Sequence, residues 1–256
     1  MKKINRVSII AGFTFLFVSV CFSQTKKDTL RVLFVGNSYT FTENLPQIVS
    51  LLSDSTHTKL ITKKSVVGGA TLREHWYSER GLKSRELIAK GGYDVVVLQE
   101  NSMGTINFPD STLKYIKLFS DLIKSKGAKP CLYVTWARKR VPQYQDQITK
   151  IYLQAATENK IAFVPAGPAW ELARNIRPDV PLHGPDEHHQ SSLGTFLNAC
   201  IFTAVLTGEI PKTTRQGYGT TDLYGESIQL MYLDALDIVF CLKVTEQILK
   251  DYKITK

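Results

Sequence analysis

Four short, largely apolar runs and one more mixed run punctuate the chain, and each is followed by a longer segment with helical periodicity. The runs fall at Leu30–Val35, Lys59–Val67, Tyr93–Leu98, Pro130–Trp136 and Ile161–Val164. The segments between them centre on 44–53, 72–90, 112–126, 143–159 and 169–175, several closing on Gly (Gly91-Gly92, Gly127). A strand apolar on both faces must be covered on both faces, and strand–helix alternation supplies that cover with right-handed crossovers. The expected fold is α/β: a three-layer α/β/α, flavodoxin-like, doubly wound sheet of about five parallel strands.

In such a sheet the chemistry gathers at the carboxyl edge of the strands. The first run leads into Gly36-Asn37-Ser38, the second into Gly68-Gly69, and the third into Gln99-Glu100-Asn101. Past the last αβ unit, Arg177–Gln190 breaks the rhythm. It holds three Pro and a Gly together with Asp186, His183, His188 and His189, so it reads as a loop. An apolar helix follows over 193–206. The polar stretch 209–221 then leads to a C-terminal amphipathic helix over about 222–252, with Ile228, Met231, Ala235, Ile238, Leu242 and Leu249 on one face.

The strand-end residues make up a nucleophile set. A hydroxyl nucleophile needs a base in hydrogen-bond reach, an acid to orient that base, and donors aimed at the developing oxyanion. Ser38 offers the hydroxyl and His189 the imidazole, with Asp186 three residues before it. The backbone N–H of Ser38 and Gly69 and the Asn101 amide offer the donors. Ser38 by itself also reads as a helix cap, and Gly68-Gly69 as a tight turn. His188 rivals His189, and Gln99 rivals Asn101. The cluster of His183, Asp186, His188 and His189 also raises a metal-dependent hydrolase, although its spacing matches no metal motif.

The ordered set GNS (36–38), GGATLREHW (68–76) and DEHH (186–189) resembles the SGNH (GDSL-type) hydrolases. LQENS (98–102), YVTWARK (133–139) and SLGTFLNACIF (192–202) sit where that branch has similar text. The resemblance runs from about Leu30 to Gly208. It implies Ser38 as nucleophile, His189 as base, Asp186 as its partner, and an oxyanion hole of Ser38, Gly69 and Asn101, with no cofactor and no metal. The third block departs from the usual Gly-x-Asn-Asp, carrying Gln99 and Ser102 at its ends. His75, Trp76, Trp136 and Arg138 are expected to line the pocket rim and bind substrate. The implied activity is hydrolysis of carboxylic esters, with O-acetyl or other O-acyl groups on carbohydrate as substrate. A lipid or thioester hydrolase and a non-catalytic glycan-binding module are the alternatives.

The amino terminus sets the compartment. Met1-Lys2-Lys3, Arg6 and the apolar run Val7–Phe22 read as a secretory signal peptide ending near Ser23, leaving one domain over 24–256. A secreted or periplasmic protein follows, without stable membrane association after cleavage. A lipid anchor at Cys21 is the alternative. Of 32 Lys and Arg, three lie in the leader, which leaves 29 against 23 acidic residues and a formal charge of +6. No basic block interleaves with aromatics, so nucleic acid is not an expected partner. The three remaining cysteines, Cys131, Cys200 and Cys241, lie in apolar contexts and read as reduced core thiols, with one disulfide possible.

Overall fold

A computed structural model describes residues 28–254. The signal peptide read in residues 1–23 lies outside the described residues. The strands are β1 (Asp28–Gly36), β2 (Thr58–Val66), β3 (Val95–Leu98), β4 (Lys129–Tyr133) and β5 (Ala162–Val164). They form one sheet in the order β2-β1-β3-β4-β5, and all neighbours are parallel. That is the doubly wound order expected of a flavodoxin-like sheet.

Successive side chains of a strand point to opposite faces, and the two cores follow from this. Val32 and Phe34 of β1, Val95 and Val97 of β3, and Cys131 and Tyr133 of β4 face one way. There they meet α2 (Leu45–Leu52), α8 (Ala166–Ile176), α9 (Ser192–Thr207) and α10 (Ala235–Asp251). Leu33, Val35, Val96, Leu98 and Leu132 face the other way. Their cover is α3 (Leu72–Tyr77), α4 (Ser84–Lys90), α6 (Pro109–Ser125) and α7 (Gln145–Asn159). Two four-residue helices, α1 (Ser38–Phe41) and α5 (Gly104–Asn107), sit directly after strand-end loops. Cys131, Cys200 and Cys241 are buried free thiols. No described helix is long and apolar enough to cross a membrane.

The C-terminal region corrects the expectation of a helix from 222. Residues Gly217–Thr221 (β6) and Ser227–Tyr232 (β7) pair as an antiparallel hairpin, and α10 begins only at Ala235. The reason is local. The Asp222 carboxylate accepts from the Tyr224 and Glu226 N–H groups at 2.8 and 2.9 Å, and Gly225 takes φ +87°, which a helix does not allow. The three-residue step from Ile228 to Met231 mimicked a helical stripe. In the hairpin Met231 is buried while Ile228 is half exposed. The helix that remains buries Ile238, Cys241, Val244, Ile248 and Leu249 against α8 and α9.

At the end of β1 a Cβ on Gly36 falls 2.5 Å from both Gln99 Oε1 and Thr40 Oγ1. Neither atom is free to retreat, since Gln99 Oε1 accepts from the Asn37 N–H at 2.9 Å and from the Thr40 hydroxyl at 3.0 Å. Gly36→Ala is expected to destabilise the fold by about 1–3 kcal/mol, as overpacking does. Urea denaturation checks this, and an unchanged midpoint contradicts it.

Candidate active site

Three loops meet at the carboxyl edge, and buried Asn37 joins them. Its N–H and its Oδ1 bond Gln99 reciprocally, at 2.9 Å to Gln99 Oε1 and 3.1 Å from Gln99 Nε2. Its Nδ2 donates to the Ala70 carbonyl at 2.9 Å and the Glu100 carbonyl at 3.4 Å. Its Oδ1 also caps α1 by accepting from the Tyr39 N–H at 3.1 Å. The strand-end loops of β1, β2 and β3 are thereby fixed to one side chain. Gln99, fully buried and spent on Asn37, Thr40 and the Glu100 carbonyl, is thus a structural residue. It is not the rival oxyanion donor.

The Pro-rich loop brings His189 to Ser38. Asp186 Oδ1 accepts from the N–H groups of His188 and His189, at 3.0 and 2.9 Å. Asp186 Oδ2 accepts from His189 Nδ1 at 2.6 Å. That bond places the imidazole proton on Nδ1 and leaves Nε2 as the acceptor, 2.8 Å from Ser38 Oγ. The His189 contact holds the Asp186 carboxyl well below the usual carboxylate range, so it stays ionised. Glu187 at φ +58° and the Gly184 N–H, which donates to the His189 carbonyl at 2.8 Å, shape the turn. Gln190 Nε2 ties this loop to the serine segment through the Tyr39 and Thr42 carbonyls, at 3.1 and 2.9 Å.

His188 points elsewhere. Its Nε2 lies 3.3 Å from Ser102 Oγ, and its ring tilts over that of His189 at 4.3 Å between centroids. Burial, helped by the Arg138 charge, pushes it down to about 4. The ambiguity between the two adjacent histidines is thus resolved in geometry.

The Ser38 and Gly69 N–H groups have no acceptor among the described residues. Gly69 turns at φ +70° with open space beside it, the left-handed backbone that a side chain disfavours. Asn101 Nδ2 donates to the Gly69 carbonyl at 2.8 Å, and Asn101 Oδ1 accepts from the Met103 N–H at 3.0 Å. The amide holds the Gly69 turn and keeps its second N–H free.

Three of the four expected pocket residues lie elsewhere. His75 is buried behind the serine. Its Nε2–H donates to the Gly36 carbonyl at 2.9 Å, so Nδ1 accepts from the Ser84 hydroxyl at 2.6 Å, and burial lowers the ring's pKa to about 4. It pins the strand end and touches no cleft. Trp76 packs edge-on against Phe119 of α6 and beneath Arg85. Trp136 is fully buried, stacked between Tyr39 at 4.4 Å and Trp170 at 4.1 Å, and its Nε1–H donates to the His188 carbonyl at 3.1 Å. It supports the histidine loop from behind. Only Arg138 lines a cleft, of about 540 Å³, shared with Met103, Tyr144, Asp186, Glu187 and His188.

Asp186, His188 and His189 offer ligand atoms within 4.8 Å of one another, a grouping that could hold a metal ion. Both carboxylate oxygens already accept N–H bonds there. His183 instead bonds the Ala137 carbonyl through Nε2 at 3.1 Å and stands outside the group.

No protein-family model matches the chain, and no curated protein matches its sequence. Solved structures do. An SGNH hydrolase from Slackia heliotrinireducens is 23% identical with a TM-score of 0.61, over 71% of this chain and 100% of that one. A DUF4886 family protein from Bacteroides uniformis is 17% identical with a TM-score of 0.70, over 89% and 97%. The acetylxylan esterase Axe2 from Geobacillus stearothermophilus is 16% identical with a TM-score of 0.53, over 73% and 97%. The chain therefore has the fold of the SGNH hydrolases.

Glu100 escaped the sequence reading, which weighed its neighbours Gln99 and Asn101. Its carboxylate accepts from the Asn101 N–H at 2.6 Å and the Leu72 N–H at 3.2 Å, joining the two loops that carry Asn101 and Gly69. Gly104 makes room for it, since a Cβ there meets Glu100 Cγ at 2.5 Å. Burial raises its pKa from 4.5 to about 7. Between those values the folded chain holds the proton that the unfolded chain has lost. Stability from this group therefore falls as pH rises through that window and levels off above it. Glu100→Gln is expected to remove the slope. Thermal melts from about pH 4.5 to pH 7.5 check this, and parallel wild-type and variant curves contradict it.

Proposed function

We propose that the protein is a secreted serine esterase that hydrolyses O-acyl groups, acetyl foremost, on carbohydrate, with Ser38 as nucleophile. One observation carries this reading: the unbroken hydrogen-bond chain from Ser38 Oγ through His189 to Asp186, at 2.8 and 2.6 Å. Next to it lie two backbone N–H groups without acceptors among the described residues, and the fold is that of hydrolases. The leader read in residues 1–23 accounts for secretion. The similarity to an acetylxylan esterase, together with a charged cleft beside the site, favours a polar alcohol over a lipid.

The reaction follows from the geometry. Ser38 Oγ attacks the ester carbonyl carbon while His189 Nε2 takes the hydroxyl proton. Ionised Asp186 holds the imidazole orientation and stabilises the imidazolium that forms. The tetrahedral oxyanion settles against the Ser38 and Gly69 N–H groups and the free N–H of Asn101. Its collapse breaks the bond to the alkoxy oxygen, and His189 Nε2 returns the proton to the departing alcohol. Water then attacks the acyl-Ser38, again giving its proton to His189. The carboxylic acid leaves, and Ser38 recovers its hydrogen.

Ser38→Ala is expected to lower hydrolysis of 4-nitrophenyl acetate by about 10³-fold or more with the fold intact. Retained turnover, read against an unchanged circular dichroism spectrum, rejects the serine mechanism. Asn101→Ala is expected to cost about 10²–10³ in kcat, and an effect confined to KM assigns Asn101 to ground-state binding instead. A rate that climbs from acetate to octanoate esters favours a lipid substrate over a carbohydrate one.

A further inference from the structure

We propose that the cleft beside the triad is a carboxylate subsite, that Arg138 is its specificity residue, and that the preferred ester therefore has an acidic sugar, of the hexuronic class, as its alcohol portion. This rests on the esterase reading above and names its substrate.

The first observation is an imbalance of charge. Three consecutive cations, Arg138, Lys139 and Arg140, follow Ala137 on the way to α7. Lys139 and Arg140 both pair with Glu187, at 3.4 and 2.7 Å. Arg138, half-buried in the wall of the cleft, has no carboxylate within ion-pair distance among the described residues. Its Nη2 donates to Ser102 Oγ at 2.9 Å, and its Nε is buried on the side of the Tyr39 hydroxyl, which the guanidinium also contacts. A guanidinium withdrawn from water without a counter-ion is costly, and the cost is recovered when an anion binds. With Nε covered, the fork formed by Nη1 and Nη2 is the edge left for a ligand. Two parallel N–H groups fit the two oxygens of a carboxylate.

The second observation is position. Ser102 Oγ touches both the Arg138 guanidinium and His188 Nε2, and the His188 ring lies over that of His189. The guanidinium thus stands one hydroxyl and one ring away from the base. In the reaction described above, His189 Nε2 delivers its proton to the leaving oxygen, so the alcohol departs on the histidine side. The donors assigned to the oxyanion belong to Ser38, Gly69 and Asn101, on the loops after β1, β2 and β3. The cleft lined by Asp186, His188 and Arg138 continues the histidine side, where the alcohol portion lies. The remaining acidic side chain in that wall, Glu187, is bound to Lys139 and Arg140 and leaves Arg138 open.

The test compares matched esters. Acetate release is measured from the O-acetylated methyl glycosides of glucuronic acid and of glucose. The wild type is expected to favour the uronate by about tenfold to a hundredfold in kcat/KM, chiefly through KM, the worth of one charge-assisted contact. Arg138→Gln is expected to collapse that ratio towards one, and Arg138→Lys to restore part of it. Thermal melts of both variants confirm that they fold. A readout independent of turnover is the binding of unacetylated methyl glucuronoside to Ser38→Ala by calorimetry, expected to weaken by about tenfold or more when Arg138→Gln is added. Equal wild-type rates on the two glycosides, with no Arg138-dependent binding, overturn the subsite. An Arg138-dependent preference for 4-nitrophenyl hemisuccinate over the acetate, with none between the glycosides, overturns its assignment to the alcohol. Arg138-dependent binding in a chain that cleaves neither ester keeps the subsite and removes the esterase reading instead.

Discussion

The reciprocal pair of hydrogen bonds between Asn37 and Gln99 is the contact on which the rest of the site depends. Both side chains are buried and each satisfies the other, so neither is free to turn towards solvent without leaving a buried polar group unpaired. From that pair the network reaches the Ala70 and Glu100 carbonyls and the start of α1. Ser38 follows Asn37 directly, so its hydroxyl and its N–H inherit the rigidity of three loops. His75 completes the arrangement from below by bonding the Gly36 carbonyl.

His189 is supported differently. Arg177–Gln190 has no regular helix or strand, only the isolated bridge between His183 and Gln190. It holds its shape through Asp186, which accepts two N–H groups of its own turn, and through what lies beneath it. The stacked rings of Tyr39, Trp136 and Trp170 form a rigid floor, and the Trp136 N–H reaches up to the His188 carbonyl. Tyr39 belongs to the serine segment and Gln190 to the histidine loop, and they meet through the Gln190 amide. The floor and this tie set the separation of Ser38 and His189, although the two stand 151 positions apart in the chain.

The aromatic floor explains an expectation that failed. Trp76, which follows the Gly68-Gly69 loop, and Trp136, which follows the fourth strand, are expected at the pocket rim but are spent on packing: Trp136 under the histidine loop, Trp76 between α3 and α6. Nothing in a single sequence distinguishes a tryptophan that faces a cleft from one that props its wall. The hairpin over 217–232 was hidden for a related reason. An apolar residue every third position fits one face of a helix. Only the Asp222 turn with Gly225 at positive φ shows that the same residues alternate across a strand.

The sequence by itself determined the layered sheet, because strands apolar on both faces have only one way to be covered. It also supplied Ser38, Asp186 and the adjacent pair His188 and His189 as candidates, through strand-end position and the ordered motifs shared with the SGNH hydrolases. The tertiary structure decided which of two adjacent histidines meets the serine, that Gln99 is bonded to Asn37 and Thr40 while Asn101 holds the Gly69 carbonyl, and that of the four expected rim residues Arg138 lines the cleft. Each of these depends on where a side chain points after distant loops are packed together. Local sequence sets propensity and period, but it carries no term for contacts made across sixty or a hundred and fifty residues.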